Sequence, residues 1–366
     1  METKEEITEN LEKMITYRII QEDAETVFSL MQTEHNPIFV LEIIPYYSLF
    51  VQSCQEYMGE TFIDKAFSTQ IKDIRNFIKM YGEGFGKSKK RMELIDEKQD
   101  ENYKSQLRFD FMKNWNIHLN MGTYWTSDKH IVGNTQMLAD FLQIDDIFDL
   151  KNEKKQYELG VQIGSFVGSI KEGLSKVISP PIVNRLQQSI DIGYYYDLNT
   201  NKKNDLFIDN SSKVLNLYYL NLTCNMNFMK YILRPLLRED NIWAFRVEYI
   251  VTYYTCRAIQ RLKNYCENNT DLHVDLDEFA EVLDLAGVLF QPKLRNCMMH
   301  YGLENRGVIS IENLEKPFYG IIETCCNGKD YYTFVNDLRR VADRLIVILE
   351  EKLSTEKITL QRLKTQ

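Results

Sequence analysis

Residues 294–302 read LRNCMMHYG, and a partial echo, IRNFIKMYG, occupies 74–82. How these two strings are read decides the fold. Pro292 suits the first position of a helix and Gly302 the residue just past its end, so 292–301 reads as a helix of about three turns. On it Leu294, Cys297, Met298 and Tyr301 fall at i, i+3, i+4 and i+7, the spacing of a buried stripe. Burying those four turns Arg295, Asn296, Met299 and His300 to the opposite side. Asn296 and His300, one turn apart, then share a face. Arg295 is rotated from His300 by about 140°, within reach of a long side chain.

In the echo the stripe is Ile74, Phe77, Ile78 and Tyr81; Arg75 and Asn76 stand where Arg295 and Asn296 do, and Met80 replaces His300. The helix before each string also matches, FVLEII at 39–44 beside FRVEYI at 245–250. Glu42 stands 33 residues before Arg75, and Glu248 stands 47 before Arg295. The extra length is about that of the helix expected near 276–289, so the chain reads as a tandem duplication.

Working outward, a chain of 366 residues favours two or three domains. Only 7 prolines and 16 glycines interrupt it, which points to a mostly helical protein. Helical runs are expected over 3–33, from Pro37 to about 60, over 63–81, over 157–178 until Pro180 and Pro181, over 212–233, over 240–266 with Asp240 as N-cap, and over 331–353. Apolar faces support two of these: Leu159, Ile163, Phe166, Ile170, Leu174 and Val177 in one, and Leu338, Val341, Leu345, Ile348 and Leu349 in the other. Residues 86–150 are mixed, and MGTYWTSDKHIVGNT at 121–135 reads as a hairpin or loop. The polar stretch 197–213 is the candidate linker. The expected fold is all-α: two tandem helical-bundle lobes, 1–190 with an insertion at 86–150 and 205–366, with a small irregular or hairpin insertion near 115–150.

The net charge of −9 supplies no general attraction for nucleic acid, so phosphate binding would depend on a local basic patch. KSKKR at 87–91 is such a patch: Lys87, Lys89, Lys90 and Arg91 either guide RNA or stand in a solvated loop. Seven cysteines without CxxC spacing fit reduced thiols in a cytosol. The charged N-terminus lacks the apolar core of a secretory signal, and the most apolar run, interrupted by Glu42 and Pro45, is too short for a bilayer. A cytoplasmic protein without membrane contact is expected.

Arg295, Asn296 and His300 have a chemical logic toward RNA. When a ribose 2′-hydroxyl attacks the adjacent phosphate, the enzyme need supply only proton transfer and a cation. Histidine can move protons near neutral pH, and arginine presents a fork of donors to phosphate oxygens. Asn296 would orient the imidazole or the phosphate.

The string from Arg295 to His300 resembles the RxxxxH signature of the HEPN superfamily in its Arg-Asn form, placed on a helix before the last long helix of a bundle. The resemblance implies a metal-independent endoribonuclease without a cofactor, its arginine and histidine meeting those of a second HEPN unit at a dimer interface, as in toxins and antiviral defence systems. It also implies a homodimer or an intrachain pseudodimer, and a partner protein from a defence system. HEPN toxins silenced by modification carry a tyrosine two residues after the histidine; here Tyr301 follows His300 directly, which does not support that control. With Met80 in place of the histidine, the first copy would be degenerate, lending Arg75, Asn76 and Lys79 to the cleft. One histidine per cleft in a pseudodimer would make a weak catalyst, which favours a homodimer for activity. Glu248 and Glu42 would orient Arg295 and Arg75, or form ordinary helix salt bridges.

Other motifs fail on spacing. Gly82 and Gly86 are one residue too close for a phosphate loop and follow a helix; the acidic run at 271–279 lacks the glycine and closing glutamate of a calcium loop. His35, His118, His130 and His273 show no metal-ligand spacing. Two other readings remain: an inactive HEPN-like module that binds RNA or protein, and a helical interaction protein unrelated to HEPN.

Overall fold

The computed structural model describes residues 4–33, 37–59, 65–107, 118–144, 149, 151–179, 191–269, 272, 274–303 and 306–363. Pro180, Pro181, His35 and His273 lie outside the described residues. The long runs with few breakers do fold as helices: α1 (Lys4–Gln32), α2 (Pro37–Glu42), α3 (Ile44–Met58), α4 (Lys65–Glu83), α5 (Phe85–Ser105), α6 (Thr135–Phe141), α7 (Lys151–Ser175), α8 (Lys213–Asn227), α9 (Ile242–Asn268), α10 (Ala280–Leu289), α11 (Pro292–Met299), α12 (Ile321–Cys325) and α13 (Tyr331–Glu350). A π-helical turn, Phe228–Leu233, extends α8. No described helix is long and apolar enough to cross a membrane.

Periodicity located the buried faces well. All five expected residues of α13 are buried, each such side chain contributing about 1.5–3 kcal/mol. On α7 the stripe is buried from Leu159 to Leu174, but Val177 lies past the helix end and is exposed. The N-cap of α9 is Asn241, whose side chain accepts from the Ala244 amide; Asp240 instead pairs with Arg238. Much of the stretch expected to be mixed is helix, since α5 takes up 85–105 and carries KSKKR on a helix rather than in a loop.

The protein is mostly helical, and the all-α expectation is corrected by a four-stranded antiparallel sheet of order β2-β1-β3-β4. Its hairpin is the one expected near 115–150: β1 (Met121–Trp125) pairs with β2 (Ile131–Asn134), Thr123 opposite Asn134. The other two strands were missed. β3 (Tyr194–Leu198) begins before the expected linker and runs into it, with Met121 opposite Leu198, and β4 (Gln361–Arg362) closes the edge from near the C-terminus. The stretch read as a linker also buries Leu206 and Phe207, and the Ser354 amide donates to the Leu206 carbonyl at 2.7 Å. Its polar composition hid two apolar anchors.

Elements from the two halves of the chain pack on one another. Helix α4 lies against both α3 and α9, α5 against α8, and β2 against α8, where Asn134 Nδ2 donates to Asn221 Oδ1 at 2.9 Å. Since α11 also packs on α9, both motif helices share one supporting helix.

Candidate functional site

Helix α11 begins at Pro292, as expected, but ends at Met299; His300 is already extended, with φ −141° and ψ 145°. Its amide still donates to the Asn296 carbonyl at 3.1 Å, but its side chain leaves the helical face that Asn296 occupies. The buried stripe holds, with Leu294, Cys297, Met298 and Tyr301 all at 4% exposure or less. Met299, expected on the outer side, is buried as well. The reason is tertiary: the end of α11 is wedged between α9 and α3, and Ser53 Oγ of α3 donates to the Met299 carbonyl at 2.8 Å.

The last carbonyls of a helix lack partners within it. Here Arg246 of α9 supplies one, its Nε and Nη2 donating to the Met298 carbonyl at 3.3 and 2.9 Å. Arg246 Nη1 pairs with Asp23 of α1, the Tyr301 hydroxyl donates to the same carboxylate oxygen at 2.6 Å, and the guanidinium lies 4.3 Å from the Tyr301 ring centre. All three residues are buried. Burial pushes the Asp23 carboxyl up, while Arg246 and Tyr301 pull it back. This knot holds the turn from which His300 projects.

His300 Nδ1 meets Glu56 Oε2 of α3 at 2.9 Å, with both side chains about two-fifths exposed. Gln52, one turn earlier on α3, donates to the other carboxylate oxygen at 2.9 Å. The hydrogen bond from His300 holds the Glu56 carboxyl down at about 2, helped by Gln52 and by the charges of His300 and Arg75 against the opposing effect of burial. Arg75 is buried, and its Nε has no hydrogen-bond partner among the described residues. Through Glu56, then, the arginine of the first string and the histidine of the second act on one carboxylate.

Arg295 is directed elsewhere. Its Nη1 donates to Asn296 Oδ1 at 2.9 Å and its Nη2 to the Tyr254 hydroxyl of α9 at 3.0 Å. The Tyr254 ring also lies against Gly82 at the end of α4, where a Cβ would come within 2.7 Å of Cδ1. That contact explains the glycine of the first string. Gly82→Ala is expected to destabilise the fold by about 1–3 kcal/mol through overpacking and to displace Tyr254 from Arg295. Combining it with Tyr254→Ala in thermal melts should cost clearly less than the sum of the two; strict additivity would disprove the contact.

Neither glutamate serves the arginine assigned to it. Glu248 is buried against Arg234 and Arg339, the latter at 3.5 Å, and not against Arg295. It lies six residues before Tyr254, about 9 Å along α9, on the side facing α13. Glu42 is buried, and its Oε1 has no hydrogen-bond partner among the described residues. It lies against Gly133 of β2, whose Cβ would fall 1.9 Å from that oxygen. Burial raises the Glu42 carboxyl well above 4.5. A raised folded-state value costs nothing below the unfolded value and destabilises increasingly as pH rises above it. Glu42→Gln should therefore stabilise by about 1–3 kcal/mol at pH 8 and by little at pH 4 in urea titrations; an equal effect at both would refute this account.

The remaining expected residues are scattered. Asn76 is half-buried, Lys79 and Lys87 each stand 3.8 Å from the Glu83 carboxylate, and Arg91 binds Asp140 at 2.6 Å. Lys89 is half-buried and Lys90 exposed on α5. Sequence reasoning missed Glu56, Gln52, Tyr254, Arg246 and Asp23. The i, i+4 spacing of Gln52 and Glu56 was the one visible signal. What the described side chains form is a half-exposed imidazole–carboxylate pair, with geometry suited to proton transfer. No protein-family model matches the chain, and no curated protein or solved structure shows significant similarity to it.

Proposed function

We propose that the chain is a metal-independent endoribonuclease of HEPN type, built as tandem HEPN-like units of which 205–366 is competent and 1–190 degenerate. The observation that carries the reading is the half-exposed His300–Glu56 pair, with Nδ1 and Oε2 2.9 Å apart. His300 moves the proton as the 2′-hydroxyl attacks the phosphate; Glu56 fixes the imidazole through Nδ1 and leaves Nε2 for the substrate. Arg295, oriented with Asn296, supplies a cation to the charge that develops on the phosphate oxygens. Attack breaks the bond to the 5′-oxygen, which takes a proton from water as it leaves, giving a 2′,3′-cyclic phosphate and a 5′-hydroxyl. The common support of α4 and α11 on α9 favours a cleft within one chain over one between two. A role in toxin action or antiviral defence, with a defence partner, follows from the resemblance alone, and a cytoplasmic setting from the free cysteines and the charged N-terminus.

A second reading, an inactive module that holds RNA, draws support from two details. Met80, which replaces the histidine in the first copy, is buried, and Arg295 is engaged by Tyr254 rather than turned to His300. One experiment separates the two: purified protein is incubated with RNA in EDTA, beside His300→Ala. Cyclic-phosphate products from the wild type alone support the ribonuclease. Salt-sensitive binding without cleavage leaves the binding module.

A further inference from the structure

Between α5 and α6 an open groove of about 560 Å³ faces outward. Helix α5 presents Lys87, Lys90, Arg91 and Lys98 to it, at spacings of three, four and eleven residues that share one face. Its opposite face buries Phe85, Ser88 and Met92. Between these cations lie Leu94, exposed by 52%, and Ile95, which face Ala139 and Ile144 across the groove. The carboxylate in the lining, Asp140, is neutralised by Arg91 at 2.6 Å. Four cations thus surround a short apolar slot, Arg91 paired with Asp140 and Lys87 3.8 Å from the Glu83 carboxylate. The apolar part of the lining is four side chains, Leu94 and Ile95 on one wall and Ala139 and Ile144 on the other.

We propose that this groove binds one nucleotide, its phosphate on Lys87 and Lys90 and its base between Leu94 with Ile95 and Ala139 with Ile144. The volume lies within the range of small-ligand sites, and cations with apolar walls match the two halves of a nucleotide. The proposal rests on the ribonuclease reading only in naming RNA as one source of that nucleotide. Arg75, Lys79 and Glu83 follow one another at i+4 on α4, about 12 Å in all, and Glu83 stands 3.8 Å from both Lys79 and Lys87, so the groove begins within a few turns of the site. The other source is a free nucleotide.

The test uses full-length His300→Ala protein, which would leave RNA intact, with a labelled 12-nucleotide oligouridylate and, separately, free UMP. Lys87→Glu with Lys90→Glu, and Leu94→Asp alone, change exposed side chains, and melting curves check their fold. If RNA is the source, both variants weaken oligouridylate binding by about tenfold or more, and the double variant flattens its salt dependence. If a free nucleotide is the source, saturable UMP binding is lost in both. Unchanged affinity in both variants, no binding of either ligand, or loss in the lysine variant with Leu94→Asp unaffected overturns the proposal. Cleavage by the wild type is scored apart: a protein that cuts while neither its oligouridylate nor its UMP binding responds to the groove variants refutes the groove, and one that binds through the groove without cutting refutes the ribonuclease.

Discussion

Arg246→Met is expected to destabilise the fold by about 3–5 kcal/mol, the usual cost of removing one partner of a buried ion pair. The argument lies in what the guanidinium leaves behind. Asp23 is fully buried and keeps only the Tyr301 hydroxyl, and the Met298 carbonyl loses its donor at the end of α11. The pair itself need not stabilise the protein, since exchanging a buried ion pair for apolar side chains of similar volume is often neutral or better. Asp23→Leu added to Arg246→Met should therefore recover a substantial part of the loss. Urea denaturation measures both variants. A single-variant loss under about 1 kcal/mol, or no recovery in the double, would show that this knot does not hold α1, α9 and α11 together.

On the proposed ribonuclease reading, His300→Ala is expected to lower RNA cleavage by about 10²–10⁴-fold, the span of general acid–base catalysis, and to leave stability nearly unchanged because the side chain is partly exposed. Glu56→Gln should cost less, about 10–100-fold, since it removes one hydrogen bond to a charged group worth about 1.5–3 kcal/mol. The Glu56 carboxyl lies at about 2, below its ordinary 4.5. Its contribution to stability is thus complete above pH 4.5 and is lost as pH falls toward 2; at this exposure it is small. Glu56 stays anionic at any pH where RNA would be assayed, so a limb of the pH–rate profile near neutrality cannot belong to it. Single-turnover cleavage with a labelled RNA gives these rates. If Glu56→Gln cleaves as fast as wild type, the carboxylate does not position the imidazole.

The parts of the fold legible in the sequence are those that depend on local spacing. The stripes Leu294–Cys297–Met298 and Leu338–Val341–Leu345 are buried as read, because apolar residues at helical period have one face to hide. β3 and β4 escaped because a strand of two to five residues in a polar context carries too little alternation, and its pairing partners are far away in the chain. The site was half legible. The reactive types at Arg75, Arg295 and His300 were visible, but each takes its partner from a segment that spacing cannot reach: Glu56 for His300, Tyr254 for Arg295.

The sequence alone determined the long helices outside 86–150, most of their buried faces and the two matching strings, since these follow from side-chain chemistry within a few turns of chain. Tertiary structure alone decided that α11 ends before His300, that Glu56 receives the imidazole, that Glu248 turns to Arg234 and Arg339, and that both strings rest on α9. The physical reason is that a charged or hydrogen-bonding group takes the partner that burial places within about 3 Å, and sequence distance has no part in that choice.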